Sequence, residues 1–351
     1  MEGVTFPCLN PMTARWAPEP ERSRFMSFAY MGGTVGTVIT YPIGGLILAA
    51  TTWDYVFYAT TGFAAVWCVA WFMFVFDLPE DHPRISEEEK QMIIATRSFD
   101  PVTRSKELNT PLLPLIWDMI RTPAVVVDMV TDHCSGWGNI MVISMSPTFM
   151  KDVLGFDITQ NGVLSMLPHL CRAVIGQVSG LLSDIGIKYG VPRLRLQKVF
   201  LVLSYMVPGI CLVAMSQLSS PSLKYWCVAA MTLGYGFNGT SYSGHYANII
   251  SIGPNRSGTT FGMVNMAGNL PGFLMPLVIT AFTTGHEDSS VHWGYAFWVF
   301  AGLYGLGTIV FVSLAQIDIQ PFNYKDYCSK EDTEERSCPR LPSYRTLECK
   351  F

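Results

Sequence analysis

Charge is scarce in this chain, and one sign of it is confined. Asp, Glu, Lys and Arg together make up 14% of the 351 residues, while half are hydrophobic. Cysteine is absent from the loops of one side. Cys8, Cys68, Cys134, Cys171, Cys211 and Cys227 sit in or beside apolar runs, and Cys328, Cys338 and Cys349 lie near the carboxyl end. That distribution excludes a disulfide framework. The first 20 residues lack a basic start followed by an apolar core, so they do not read as a cleavable signal peptide. The six histidines (82, 133, 169, 245, 286 and 292) are scattered, which argues against a membrane-embedded enzyme with a clustered His/Asp/Cys centre. Nothing resembles a selectivity filter, which argues against a channel. No residue pattern points to nucleic acid or to an obligate protein partner.

What is present is a series of long apolar runs, near 25–50, 55–76, 123–149, 162–182, 199–216, 225–251, 258–284 and 293–315. Each is long enough to cross a hydrocarbon layer of about 30 Å as a helix of about 20 residues. When the connecting segments are assigned alternately to two sides, 20 of the 23 Lys and Arg fall on one side. The other side holds only Lys151 and Lys224, and Arg172 lies inside a run. This is the positive-inside pattern, and it puts the basic segments, 77–122 and 316–351 included, in the cytoplasm. The chain reads as a multi-pass, all-α membrane protein. The mean hydropathy of +0.29 is modest because the polar loop and tail dilute it.

Several local features refine this plan. Residues 2–14 are too short and polar to span alone, yet 15–24 are basic. The segment reads as the end of a helix whose beginning is absent, or as an interfacial start. Ser86 followed by Glu89 is a capping box, predicting a short helix there with an acidic first turn. Residues 99–114, rich in Pro, Thr and Ser, read as a flexible connector, and the charged tail from Pro321 reads as disordered. The sequon at Asn238 lies within a span and the one at Asn255 is cytoplasmic, so neither is expected to carry glycan. Gly32, Gly33, Gly36, Gly44 and Gly45 in the first run, and Gly262, Gly268 and Gly272 in the seventh, are expected at close helix contacts.

Ionisable residues inside the membrane are expensive and mark function. Arg172 costs about 2.5–3.5 kcal/mol at a helix centre on insertion scales, so it must face a partner or a wet cavity. It reads equally as an anion contact or as one member of a structural charge pair. Asp128 and Asp132 share a helical face four residues apart, and His133 follows. A pair between these aspartates and Arg172 would account for all three charges. The sharper alternative is a protonatable Asp132–His133 site. Tyr242, His245 and Asn248, and Asn265 with Asn269, are spaced to line a cavity or to bond between helices.

An ordered set of motifs runs the length of the chain: EGVTFP, RWAPEPERSR, PIGGLI, WDYVFY, HPRIS, LGFDITQNGVLSMLPHL, GLLSD, GTTFGMVNMAGNLPG and IDIQPF. With these it resembles solute carrier family 17, the anion transporters, and within it the sodium-phosphate and sialin-like members. The resemblance extends to about residue 323. It implies a major facilitator-type helical bundle in which this chain begins inside the fourth helix and lacks helices 1–3. The implied organisation is a remnant of the N-terminal bundle at 1–76, a cytoplasmic loop at 77–122, a six-helix bundle at 123–315 and a tail at 316–351.

The same resemblance implies secondary active transport of organic or inorganic anions. A small anionic solute and the lipid bilayer are the implied partners. No cofactor is implied, only a sodium ion, a proton or the membrane potential as the coupling agent. A chain that cannot transport by itself is the alternative. The family's fourth-helix glutamate maps onto Glu2, and Asn10 stands where several members place histidine. Ser135 stands where the vesicular glutamate branch has arginine. The family does not characteristically carry arginine at the position of Arg172. The stretch from Gly180 to Asp184 resembles the second copy of a loop motif in which the aspartate braces neighbouring helices.

Overall fold

The computed structural model describes residues 22–76, 78–96, 111–220, 222–253, 256–286 and 289–323, with the isolated positions 12 and 16. Every regular element among the described residues is helical. In chain order they are α1 (Arg22–Ala50), α2 (Trp53–Phe74), α3 (Glu87–Thr96), α4 (Leu112–Ile120), α5 (Pro123–Ile140), α6 (Ser146–Asp152) and α7 (Ile158–Lys188). There follow α8 (Arg193–Leu218), α9 (Lys224–Asn238), α10 (His245–Ile252), α11 (Ser257–Asn269), α12 (Pro271–Thr283) and α13 (Ser290–Leu314). Six stretches are long and apolar enough to cross a membrane: Gly32–Ala50, Trp53–Phe74, Ile158–Lys188, Arg193–Leu218, Ser257–Thr283 and Ser290–Leu314.

The two remaining apolar runs are interrupted helices, not the uniform spans expected at 123–149 and 225–251. The first is interrupted by a π turn over Met141–Met145, between α5 and α6. Pro147 explains it. Proline has no N–H for the carbonyl four residues back and its ring crowds that carbonyl, so the helix widens there. The carbonyl concerned belongs to Ile143, and it accepts a 2.9 Å hydrogen bond from the Tyr41 hydroxyl on α1. A break in one helix is thus repaired from another. The second interruption is a 3-10 turn at Gly239–Tyr242. Gly239 lies against the Arg172 backbone, and a Cβ on Gly244 would come within 3.1 Å of the Leu201 nitrogen. Both neighbours press too close for larger residues, so the chain turns on glycine.

Packing follows the apolar faces. α8 lies between α9 and α13, α7 contacts α9 and α1, and α5 contacts α11 and α13. The main core gathers Met141, Met150, Tyr205, Phe297, Phe300, Tyr304 and Phe311. A smaller cluster joins Leu115 and Met119 of α4 to Val125, Ile252, Met263 and Phe322. Phe322 is 2% exposed, and the Gln320 N–H donates to the Ile252 carbonyl at 2.8 Å. This corrects the reading of a free tail from Pro321, because Pro321–Asn323 is a docked turn. It also brings the loop end and the carboxyl-terminal segment to one end of the bundle, the arrangement that the charge asymmetry requires.

The expected Ser86 cap is present, with its Oγ accepting from the Glu89 N–H at 3.2 Å. The glycine expectation holds only in part. Gly45 meets Gly162 of α7 backbone to backbone, and a Cβ on Gly162 would lie 2.9 Å from the Tyr41 carbonyl oxygen. Gly268 is equally confined, whereas Gly32, Gly33, Gly36, Gly44 and Gly262 face open space. Sequence spacing marks a smooth face but does not say whether a second helix lies on it. Asp184 braces nothing among the described residues. It is exposed on a helix that continues to Lys188.

Candidate functional site

Arg172 occupies the middle of α7, half-buried, and α9 and the turn after it build its surroundings. Its guanidinium carbon lies 4.9 Å from the Tyr235 ring centre and 5.5 Å from that of Tyr242. Nη1 donates to the Tyr235 hydroxyl at 2.8 Å and to Asn139 Oδ1 at 3.3 Å. Nε is buried and has no hydrogen-bond partner among the described residues. Two aromatic faces and two neutral acceptors hold the charge without neutralising it, a cation–π arrangement that is strongest where water is excluded. The expected pair with Asp128 or Asp132 does not form. Asp132 turns toward α10 and α11, while Arg172 faces α9 and Asn139 of α5. Tyr242 is 44% exposed and stacks on Tyr246 at 5.8 Å, so the open side of the cluster is aromatic.

Asp132 has different partners. Its Oδ1 accepts from His245 Nε2 at 3.0 Å and from the Tyr246 hydroxyl at 3.0 Å. Its Oδ2 fills the space where a side chain on Gly268 would sit, so α11 can approach α5 only because residue 268 is glycine. His245 is fully buried, and its Nδ1 has no partner among the described residues. The Tyr246 ring bridges the two halves, 4.1 Å from His245 and 5.8 Å from Tyr242. Asp128, one turn earlier on α5, is fully buried with both carboxylate oxygens unpartnered among the described residues.

The site therefore unites Arg172, His245 and Asp132 through tyrosines, and it separates other candidates from them. The Asp132–His133 site is corrected: consecutive residues on a helix point about 100° apart. His133 Nδ1 instead bonds the Ala267 carbonyl at 3.0 Å, and its Nε2 accepts from Trp137 Nε1 at 3.3 Å. Ser135 accepts from Asn238 Nδ2 at 3.3 Å, which also accounts for the buried sequon. Asn248 ties α10 to Gln197 at 3.1 Å and to the Gln316 carbonyl at 2.8 Å, a structural clamp and not a cavity wall. Asn269 donates to Asn265 Oδ1 at 2.9 Å within α11, leaving Asn269 exposed. Glu2 and Asn10 lie outside the described residues.

Sequence reading missed Tyr235, Tyr246, Asn139 and the stacked pair Tyr41–His169, whose rings lie 5.3 Å apart across the α1–α7 contact. One signal was available. Tyr235, Tyr242 and Tyr246 recur at spacings of seven and four, the spacing of one helical face in the sequence, although the chain turns between them.

Comparison with known proteins agrees with this architecture. The model of the Major Facilitator Superfamily matches residues 1–276. The chloroplastic ascorbate transporter of Arabidopsis thaliana is 30% identical over 311 residues, covering 88% of this chain and 54% of that protein. Human sialin is 30% identical over 333 residues, 93% of this chain and 64% of sialin. Human vesicular glutamate transporter 2 is 26% identical over 341 residues, 96% of this chain and 56% of the relative. The chain thus spans between about half and two-thirds of the length of these curated relatives. It is a multi-pass membrane protein, and it belongs to the Major Facilitator Superfamily, on the side of that superfamily where the anion transporters resembling solute carrier family 17 are found.

Proposed function

We propose that this protein is a secondary active transporter of organic or inorganic anions, with Arg172 as the anion contact. The observation that carries the reading is an intramembrane guanidinium with a hydrogen-bonding edge to spare. Nη1 is engaged by neutral groups, Nε is not engaged, and no carboxylate pairs with it among the described residues. Arginine presents parallel donors that match the oxygens of a carboxylate or phosphate, and desolvation strengthens such a bond. An anion is the complement that this charge lacks. The relatives named above include transporters of ascorbate and glutamate, which is consistent with a small anionic solute.

Coupling to a proton or sodium gradient belongs to the same proposal, and Asp132 with His245 is the pair we assign to it. Imidazole is the side chain whose charge changes most readily near neutral pH. This pair adjoins the arginine through Tyr246, so a proton gained or lost there acts on the charge that the anion meets. Uptake of labelled phosphate, glutamate and sialic acid into liposomes under an imposed proton, sodium or potential gradient tests the reading. Gradient-dependent uptake that falls at least tenfold in Arg172→Gln supports it. Uptake unchanged by that substitution removes Arg172 from the site.

A second reading is a chain that does not transport on its own. It is favoured by α2, in which no residue is buried although the helix is mostly apolar. In that case the purified chain binds the anion through Arg172 but gives no gradient-dependent uptake.

A further inference from the structure

The face of α8 opposite the core carries a feature that the anion site does not use. Where α8 leaves the cytoplasmic end of the bundle it runs beside the last turns of α13. An open groove of about 520 Å³ lies between them. Its walls are apolar, formed by Val199, Val202 and Leu203 of α8 and Val312 of α13. Its mouth is basic, formed by Arg195 and Lys198, which are three apart and so share one side of α8. Neither cation has an ion pair or a ring contact among the described residues. Four aliphatic side chains leading away from two free cations, all at the end where the basic loops gather, match one kind of molecule. It has an anionic head and a long hydrocarbon body.

We propose that this groove binds an anionic phospholipid of the cytoplasmic leaflet, with the headgroup phosphate on Arg195 and Lys198 and an acyl chain along Val199, Val202, Leu203 and Val312. Basic pockets between transmembrane helices on the cytoplasmic side are suited to anionic headgroups. The surface of that leaflet is itself negative, so the ligand is concentrated where the groove opens. Zwitterionic lipid would fill the apolar part equally well and gain little from the mouth. The proposal is independent of the anion site, because Arg172 lies on a different helix and faces the interior.

Native mass spectrometry of the full chain tests this, after purification with equal amounts of phosphatidylserine and phosphatidylcholine. The expected result is retention of phosphatidylserine at least fivefold over phosphatidylcholine. Arg195→Gln combined with Lys198→Gln should abolish that preference, and 0.5 M salt should weaken it. Val202→Trp, which fills the groove without touching the charges, should reduce retention of both lipids. Inorganic phosphate at millimolar concentration should not displace the lipid, because it lacks the hydrocarbon that the groove holds. Equal retention of the two lipids would overturn the proposal. So would an unchanged preference in the double variant, or displacement by inorganic phosphate alone. An unchanged melting temperature and elution volume of the double variant in detergent, measured in parallel, shows that any lost preference does not come from misfolding.

Discussion

The two helix groups of this protein meet the same solvent in opposite ways. In α2 no residue is buried, and Phe63 and Phe72 are 74% and 85% exposed. In α8 and α13, Tyr205, Phe297, Phe300 and Phe311 are sealed. Both regions are apolar, so hydrophobicity alone does not tell a lipid-facing helix from a core helix in a membrane. The difference lies in small and polar residues. In the second group, Gly136, Gly138, Gly234 and Gly268 admit a neighbouring helix, and buried hydrogen bonds fix which neighbour it is. In the first group, Gly45 and Tyr41 are the described residues that reach across in that way. Lipid competes equally for any apolar face, so close approach and polar pairing determine helix association there.

The comparison can be broken most severely at Asp132. Asp132→Ala leaves the buried His245 and the half-buried Tyr246 without their acceptor, and leaving a buried donor unsatisfied costs about 1–3 kcal/mol for each group. A sharply lowered melting temperature in detergent is expected, and Asp132→Asn should recover part of it by still accepting from Tyr246. Next in size is the seam between the groups. Gly162→Leu drives a side chain into the Tyr41 carbonyl and Gly45, an overpacking that costs about 1–3 kcal/mol. Gly36→Leu, facing open space on the same helix as Gly45, should leave the melting curve unchanged. Smaller still, Tyr41→Phe removes one hydrogen bond to the Ile143 carbonyl and should cost about 0.5–1.5 kcal/mol. Phe72→Ala in α2 should shift stability by less than about 0.5 kcal/mol, since its side chain is almost wholly exposed. If Phe72→Ala proved as costly as Asp132→Ala, the contrast between the groups would be wrong.

The spans were legible in the sequence because they are a linear property, a run of apolar residues. The Ser86 cap was legible for the same reason, being a spacing of three. The interruptions were half legible. Pro147 stood in the third run and Gly239 and Gly244 in the sixth, but a proline or glycine signals a break only when something fills the freed space. The fillers, Tyr41 and Leu201, come from other helices. The site was the least legible. Asp132 and His245 are 113 residues apart, and His133, the nearer histidine in sequence, points elsewhere. Adjacency in sequence is a poor guide on a helix, where the next residue faces away.

On the proposed function, Arg172 is a cation kept unneutralised to receive an anion. Equilibrium binding of labelled phosphate, glutamate and sialic acid to the purified protein measures this directly, in wild type, Arg172→Lys and Arg172→Gln. Saturable binding of at least one of these anions is expected. That binding should weaken tenfold or more in Arg172→Gln and be only partly restored by lysine, which keeps the charge but not the paired donors. Equal affinity in all three proteins, with their melting temperatures unchanged, would contradict it.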